Sequence, residues 1–139
     1  MEIIANAVQT VNTNQNVYFT DTVTCGGPCV SHRDDSGLVT LRGLTNQCRA
    51  RFKVTFGGNI AVPEGGTVGP IQLAIAINGE AVPSTTMIVT PAAVENYFNV
   101  FSAIFIDVPR GCCVTVSVQN TTEAAINVQN ANLIVERVA

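Results

Sequence analysis

The residues with the widest chemical repertoire in this sequence are five cysteines, Cys25, Cys29, Cys48, Cys112 and Cys113, and one histidine, His32. Thiolate and imidazole together suit tetrahedral zinc, so Cys25-Gly26-Gly27-Pro28-Cys29, His32 three residues on, and the distant Cys112-Cys113 are first weighed as a metal centre. The spacing argues against it. A zinc ribbon uses two cysteine pairs, each separated by two residues, whereas here three residues separate one pair and none the other. No metal site is expected. Five is an odd number, so pairing within the chain leaves at least one thiol over. A local Cys25 to Cys29 disulfide would close the glycine-proline loop, and plain reduced thiols are the ordinary outcome in a protein made in the cytosol; both readings stand. In an extended strand Cys112 and Cys113 point opposite ways, which makes that pair structural rather than redox-active.

His32 lies beside Arg33, Asp34 and Asp35, and a histidine among acids invites an acid-base or triad reading. The reading lacks a nucleophile: Ser31 and Ser36 are loop serines without a nucleophile-elbow pattern, so no catalytic residue is assigned and the segment is read as a solvated polar loop. Asp34-Asp35-Ser36-Gly37 offers oxygen ligands but not the alternating acids of a calcium loop, and reads as a turn. Gly65-Gly66-Thr67-Val68-Gly69-Pro70 lacks the Lys-Ser/Thr that cradles phosphate, and no helix follows it. No cofactor is expected. Asn120-Thr121-Thr122 fits the glycosylation triplet but also reads as a turn.

Charge narrows the field of partners. The chain carries 10 acidic and 7 basic residues for a net charge of −3, and the basic set is six Arg and Lys53. That is too little positive field to neutralise a phosphate backbone, so nucleic acid is not an expected partner. The N-terminus, MEIIANAVQTVNTN, places an acid where a secretion signal needs positive charge, and Asn6 and Gln9 interrupt its apolar stretch. The chain is therefore expected to be made in the bacterial cytoplasm. No apolar run reaches the roughly 18 to 20 residues needed to cross a bilayer, and no membrane partner is expected.

The elements that would position these residues are strands. With 139 residues, 47% hydrophobic and 12% charged, the chain supports one well-filled core. Its 20 Val, 15 Thr, 13 Asn and 6 Gln give β-branched residues for the pleats and neutral amides for the exterior. Period two dominates. Cys48, Ala50, Phe52, Val54 and Phe56 alternate with Arg49, Arg51 and Lys53, a strand with one wet face. Ile71, Leu73, Ile75 and Ile77 face a core, and Asn78-Gly79 suits the positive φ of a type I′ hairpin returning through Met87 to Thr90. Val114 to Val118 alternates with Thr115, Ser117 and Gln119. Gly26-Gly27-Pro28, Gly57-Gly58-Asn59, Gly65-Gly66, Asn78-Gly79 and Pro109-Arg110-Gly111 read as the punctuation between about eight to ten strands. The expected fold is all-β, an antiparallel two-sheet sandwich of jelly-roll type occupying residues 1–139, with residues 1–14 as an N-terminal arm or first strand.

Two segments break the alternation. From Tyr97 to Ile106 both faces are apolar, with Phe98, Val100, Ile104 and Ile106 on one and Tyr97, Phe101, Ala103 and Phe105 on the other. The last strand repeats this with Leu133 and Val135 against Ile134 and Val138. A two-sheet sandwich covers one face of each strand, so something else must cover the second. The chain's own N-terminal arm is one cover. A second copy of the chain is the simpler one, which makes Tyr97, Phe101 and Phe105, with Leu133 and Val135, the expected oligomer interface.

Three stretches carry a resemblance: Phe52-Lys53-Val54-Thr55-Phe56, then Ile71 through Asn78-Gly79-Glu80-Ala81-Val82-Pro83, then Ala131 through Ile134-Val135-Glu136-Arg137-Val138-Ala139. Over roughly residues 38–139 the chain resembles the C-terminal domain of the collagen-like exosporium glycoproteins of spore-forming bacteria, trimeric jelly rolls similar to C1q and tumour necrosis factor. It also resembles small structural proteins of bacteriophages, such as capsid decoration proteins, head fibres and tail-tip knobs. The resemblance implies a homotrimer and a non-enzymatic structural role on a virion surface, partnered by capsid or other virion proteins. The alternative it implies is a knob on a spore surface or phage tail that binds glycan or protein through its loops.

Overall fold

The computed structural model describes residues 1–139 and contains twelve strands, every neighbouring pair antiparallel. Sheet I runs in the order β10 (Phe98–Pro109), β6 (Arg49–Ala61), β12 (Ile126–Arg137), β1 (Glu2–Ala5) and β3 (Asp21–Thr24), with β2 (Gln9–Val11) also on β12. Sheet II runs β4 (Val30–His32), β5 (Val39–Arg42), β11 (Cys113–Asn120), β7 (Ile71–Ile77) and β8 (Glu80–Ala81), with β9 (Met87–Val89) also on β7. A single 3₁₀ turn, Pro83–Thr85, joins β8 to β9. Strand partners far apart in sequence make this a jelly roll rather than a meander: β1 pairs with β12 at the opposite end of the chain.

Period two builds the core. On β6 the even residues Ala50, Phe52, Val54, Phe56 and Ile60 are fully buried, while Arg51, Lys53 and Thr55 face out. Phe52 and Phe56 meet Phe19, Leu41, Leu73 and Ile75 between the sheets. Each such side chain contributes roughly 1.5 to 3 kcal/mol by leaving water. The type I′ turn forms as its dipeptide demands, with φ +52° at Asn78 and +83° at Gly79 between the paired Ile77 and Glu80. Buried Asn120 closes the β11–β12 corner by donating from Nδ2 to the carbonyls of Val11 and Ala124 and accepting the Thr122 N–H at Oδ1.

Two expectations about segments change. Gly57-Gly58-Asn59 is not a turn: β6 continues through it, with Gly57 opposite Phe101 on β10 and Asn132 on β12. The register of β12 against β6 slips between Gln129 and Asn132, a bulge with Asn130 at φ +54°, and there a Cβ on Gly58 would come within 3.5 Å of the Ala131 Cα. The glycines here continue a strand beside a bulge rather than reverse the chain. Residues 2–5 are not a covering arm either. β1 is hydrogen-bonded within the plane of sheet I, between β12 and β3, so it leaves the outer face of that sheet uncovered.

Candidate interaction face

The outer face of sheet I is the most distinctive surface of the molecule. On β10 the odd residues point outward, and Phe101 and Phe105 are 66% and 62% exposed, with Ala103 exposed between them. The register sets Phe101 beside Gly57, Ala103 beside Thr55 and Phe105 beside Lys53; one strand further, Asn132, Ile134 and Glu136 continue the same three rows on β12. Ile134 is partly exposed, across Thr55 from Ala103 on the same face. At Gly57, beside Phe101, the face carries no side chain, and a Cβ there would meet only the Val100 carbonyl oxygen, at 3.9 Å.

Polar groups frame this strip. Toward the end of β10, Arg51 binds Asp107 through two hydrogen bonds, Nε to Oδ1 at 2.8 Å and Nη2 to Oδ2 at 3.2 Å, and Arg49 approaches Oδ2 at 3.4 Å. The Arg51 hydrogen bond, helped by the charge of Arg49, holds the Asp107 carboxyl below its usual range, and Asp107 in turn raises Arg51. At the other end runs an amide ladder: Asn99 donates to Asn59 at 3.2 Å, and Asn59 to Asn130 at 3.3 Å.

Of the interface residues expected from sequence, Phe101 and Phe105 lie on this face, and Tyr97, immediately before β10, is half-buried by its own chain. Leu133 and Val135 are a correction. They stand opposite Phe56 and Val54 on the inner side of β12 and are fully buried in the core of the single chain, so no sister copy can reach them. The outward apolar residues at that end are Ile134 and Val138.

The other candidate chemistry is dispersed. All five cysteines are free thiols, so of the two readings of Cys25 and Cys29 the structure carries the reduced one: Cys29 packs against the core and its Sγ accepts a contact from Arg137 Nη1 at 3.3 Å, while Cys25 is exposed beyond β3. No three His, Cys, Asp or Glu side chains converge where an ion could sit. His32 is held as a buckle, with Nε2 3.0 Å from the Ser36 carbonyl, Nδ1 3.3 Å from Thr22 Oγ1, and its ring edge-on to Phe19. Thr22 also donates to Asp34 at 3.1 Å. Two shallow open concavities of about 350 and 390 Å³ share His32 and Ser31 in their walls. The side chain of Asn120 is enclosed and engaged, which removes it as a glycosylation acceptor.

The sequence matches no known protein family and no curated protein sequence. Solved structures do match. The structure of Eiger TNF from S. frugiperda superimposes with a TM-score of 0.69 at 12% identity, covering 100% of this chain and 92% of that one. The globular domain of zebrafish complement 1qA protein gives 0.61 at 10% identity, covering 96% of this chain and 93% of that one. The fold is a C1q/TNF-like jelly roll. At these identities the likeness is one of fold alone. In this jelly roll the sheet that carries Phe101 and Phe105 has its outer face open, with two aromatic rings on it.

Proposed function

We propose that this chain is a non-enzymatic structural protein that assembles as a homotrimer through the outer face of sheet I, forming a jelly-roll knob on a virion surface as a bacteriophage capsid decoration or fibre-head protein. The observation that carries self-association is the pair of exposed rings, Phe101 and Phe105, on a sheet face that no segment of the chain covers. Rigid aromatic rings bury large area at low entropic cost, and Phe101, Ala103 and Phe105 along β10, with Ile134 across Thr55 and the polar Lys53 and Glu136 beside Phe105, mix apolar and polar contacts as interfaces do. Gly57, without a side chain, leaves the sheet surface beside Phe101 open to a neighbouring copy. The number three and the placement on a virion are supported by the resemblance to trimeric exosporium and phage structural proteins. The chain would be made in the cytoplasm and reach the particle during assembly, with capsid proteins as its partners.

Light scattering at micromolar concentration tests the assembly. The expected mass is three times that of the 14.6 kDa chain, and the double variant F101S/F105S is expected to run as a folded monomer. A wild-type monomer would overturn the reading. Neighbouring genes for portal and capsid proteins would support the virion, and sporulation genes the spore surface.

The two concavities around His32 favour a second reading, a knob that binds glycan or protein. Saturable binding on a glycan array, lost in H32A, would favour it over a purely structural role.

A further inference from the structure

We propose that one end of the sandwich is a thiol pole through which copies of this chain become joined by interchain disulfides. The sequence scatters the cysteines over nearly ninety positions, but the topology gathers most of them. Cys25 follows the end of β3, Cys29 precedes β4, Cys48 precedes β6, and Cys112-Cys113 open β11. The pairings Val30 with Leu41, Arg49 with Pro109, and Cys113 with Arg42 put the strand ends beside Cys29, Cys48 and Cys112-Cys113 at one end of the two sheets, while Cys25, after the Glu2–Thr24 pair that lies level with Thr55, sits further along the flank near His32. Three of the thiols occupy one hydrogen-bonded corner. Arg110 N–H donates to the Cys48 carbonyl at 2.9 Å, Gly43 N–H to the Cys112 carbonyl at 3.0 Å, and Gly111 N–H to the Gly43 carbonyl at 3.2 Å. The corner is tightly packed, since a Cβ on Gly43 would lie 2.2 Å from the Pro109 carbonyl oxygen.

Four of the five thiols, Cys25, Cys48, Cys112 and Cys113, are exposed, and none is paired. Five thiols cannot all pair within one chain, so complete oxidation requires a bond to another molecule. A second copy presents the same thiols on the same pole. The pole is net positive, since Arg49 and Arg51 share the one carboxylate of Asp107 while Arg110 and Arg137 keep their charge, so the covalent bond has to hold the copies against that repulsion. The chemistry is exchange with a small disulfide. A Cys thiolate attacks oxidised glutathione, forming a mixed disulfide and releasing one glutathione thiolate, which takes up the proton the cysteine lost. A thiolate of the second copy then displaces the other glutathione. Two protein thiols and one glutathione disulfide give one interchain disulfide and two glutathione thiols.

The test uses the reduced full chain at micromolar concentration, treated with oxidised glutathione and run on a denaturing, non-reducing gel. The proposal predicts dimers and larger covalent species that collapse with dithiothreitol, with linkages mapped by mass spectrometry to the exposed cysteines. It also predicts their loss in C25S/C48S/C112S/C113S and in wild-type protein alkylated with iodoacetamide before oxidation, a control that does not depend on how the variant folds. Chains that stay single, whether unmodified, glutathionylated or internally bridged, would overturn it. Light scattering in reducing buffer reports the non-covalent trimer separately, so the failure of either claim leaves the other measurable.

Discussion

At the scale of single residues, outward and inward facing decide most roles. Phe101 and Phe105 could be placed together on one side of their strand from period two alone, because odd and even residues of β10 diverge and the strand is regular. Alternation groups Leu133 with Val135 just as well, but where both faces of a strand are apolar, as in β10 and near the end of β12, it does not say which group faces in. The inner choice is fixed by pairing with Phe56 and Val54, a long-range fact. Asp107 offers a direct check on the polar frame of the face. Its carboxyl is held low first by the Arg51 hydrogen bond and further by Arg49, so its small contribution to stability is present above the ordinary carboxylate range and is lost as pH falls through the lowered value. In an NMR pH titration the Asp107 midpoint is expected below that of an ordinary aspartate, and R51Q is expected to move it upward. An unchanged midpoint in R51Q would show that the pair does not persist in solution.

At the scale of elements, the strands divide into those that hold the sandwich and those that present a surface. Phe56 on β6 is fully enclosed, and F56A is expected to lower stability in urea by roughly 3 to 5 kcal/mol through lost burial and the cavity left behind. Gly79, at φ +83° with open space where a Cβ would project, is a purely backbone requirement, so G79A is expected to cost roughly 1 to 2 kcal/mol in the same assay. These elements were legible because alternation and an Asn-Gly turn are local signals. The bulge in β12 was not. Gly57-Gly58 has the composition of a turn, and only the pairing of β6 with both β10 and β12 reveals that the two glycines lie inside a long strand. The convergence of the cysteines escaped for the same reason, since strand order rather than spacing brings their ends together. No local pattern announces that β1 lies beside β12, and that pairing is what decides between the arm and the first strand for residues 2–5.

At the scale of the whole molecule, the jelly roll presents three distinct regions: an uncovered aromatic sheet face, a polar flank around His32, and a pole of free thiols. The aromatic face accounts for the second apolar side of β10, which a lone sandwich leaves in water. Adding bulk beside Phe101 tests the face without touching the core: G57L is expected to leave the far-ultraviolet circular dichroism unchanged while shifting the light-scattering mass toward the single chain. Assembly and covalent joining are separable, the first resting on sheet I and the second on the pole. The central claim is that sister copies hide the Phe101 and Phe105 rings from water, and hydroxyl-radical footprinting reads it most directly when labelling is followed as a function of protein concentration. Both rings are predicted to be protected in the assembled protein and to become labelled on dilution to the monomer; strong labelling at every concentration would contradict the account.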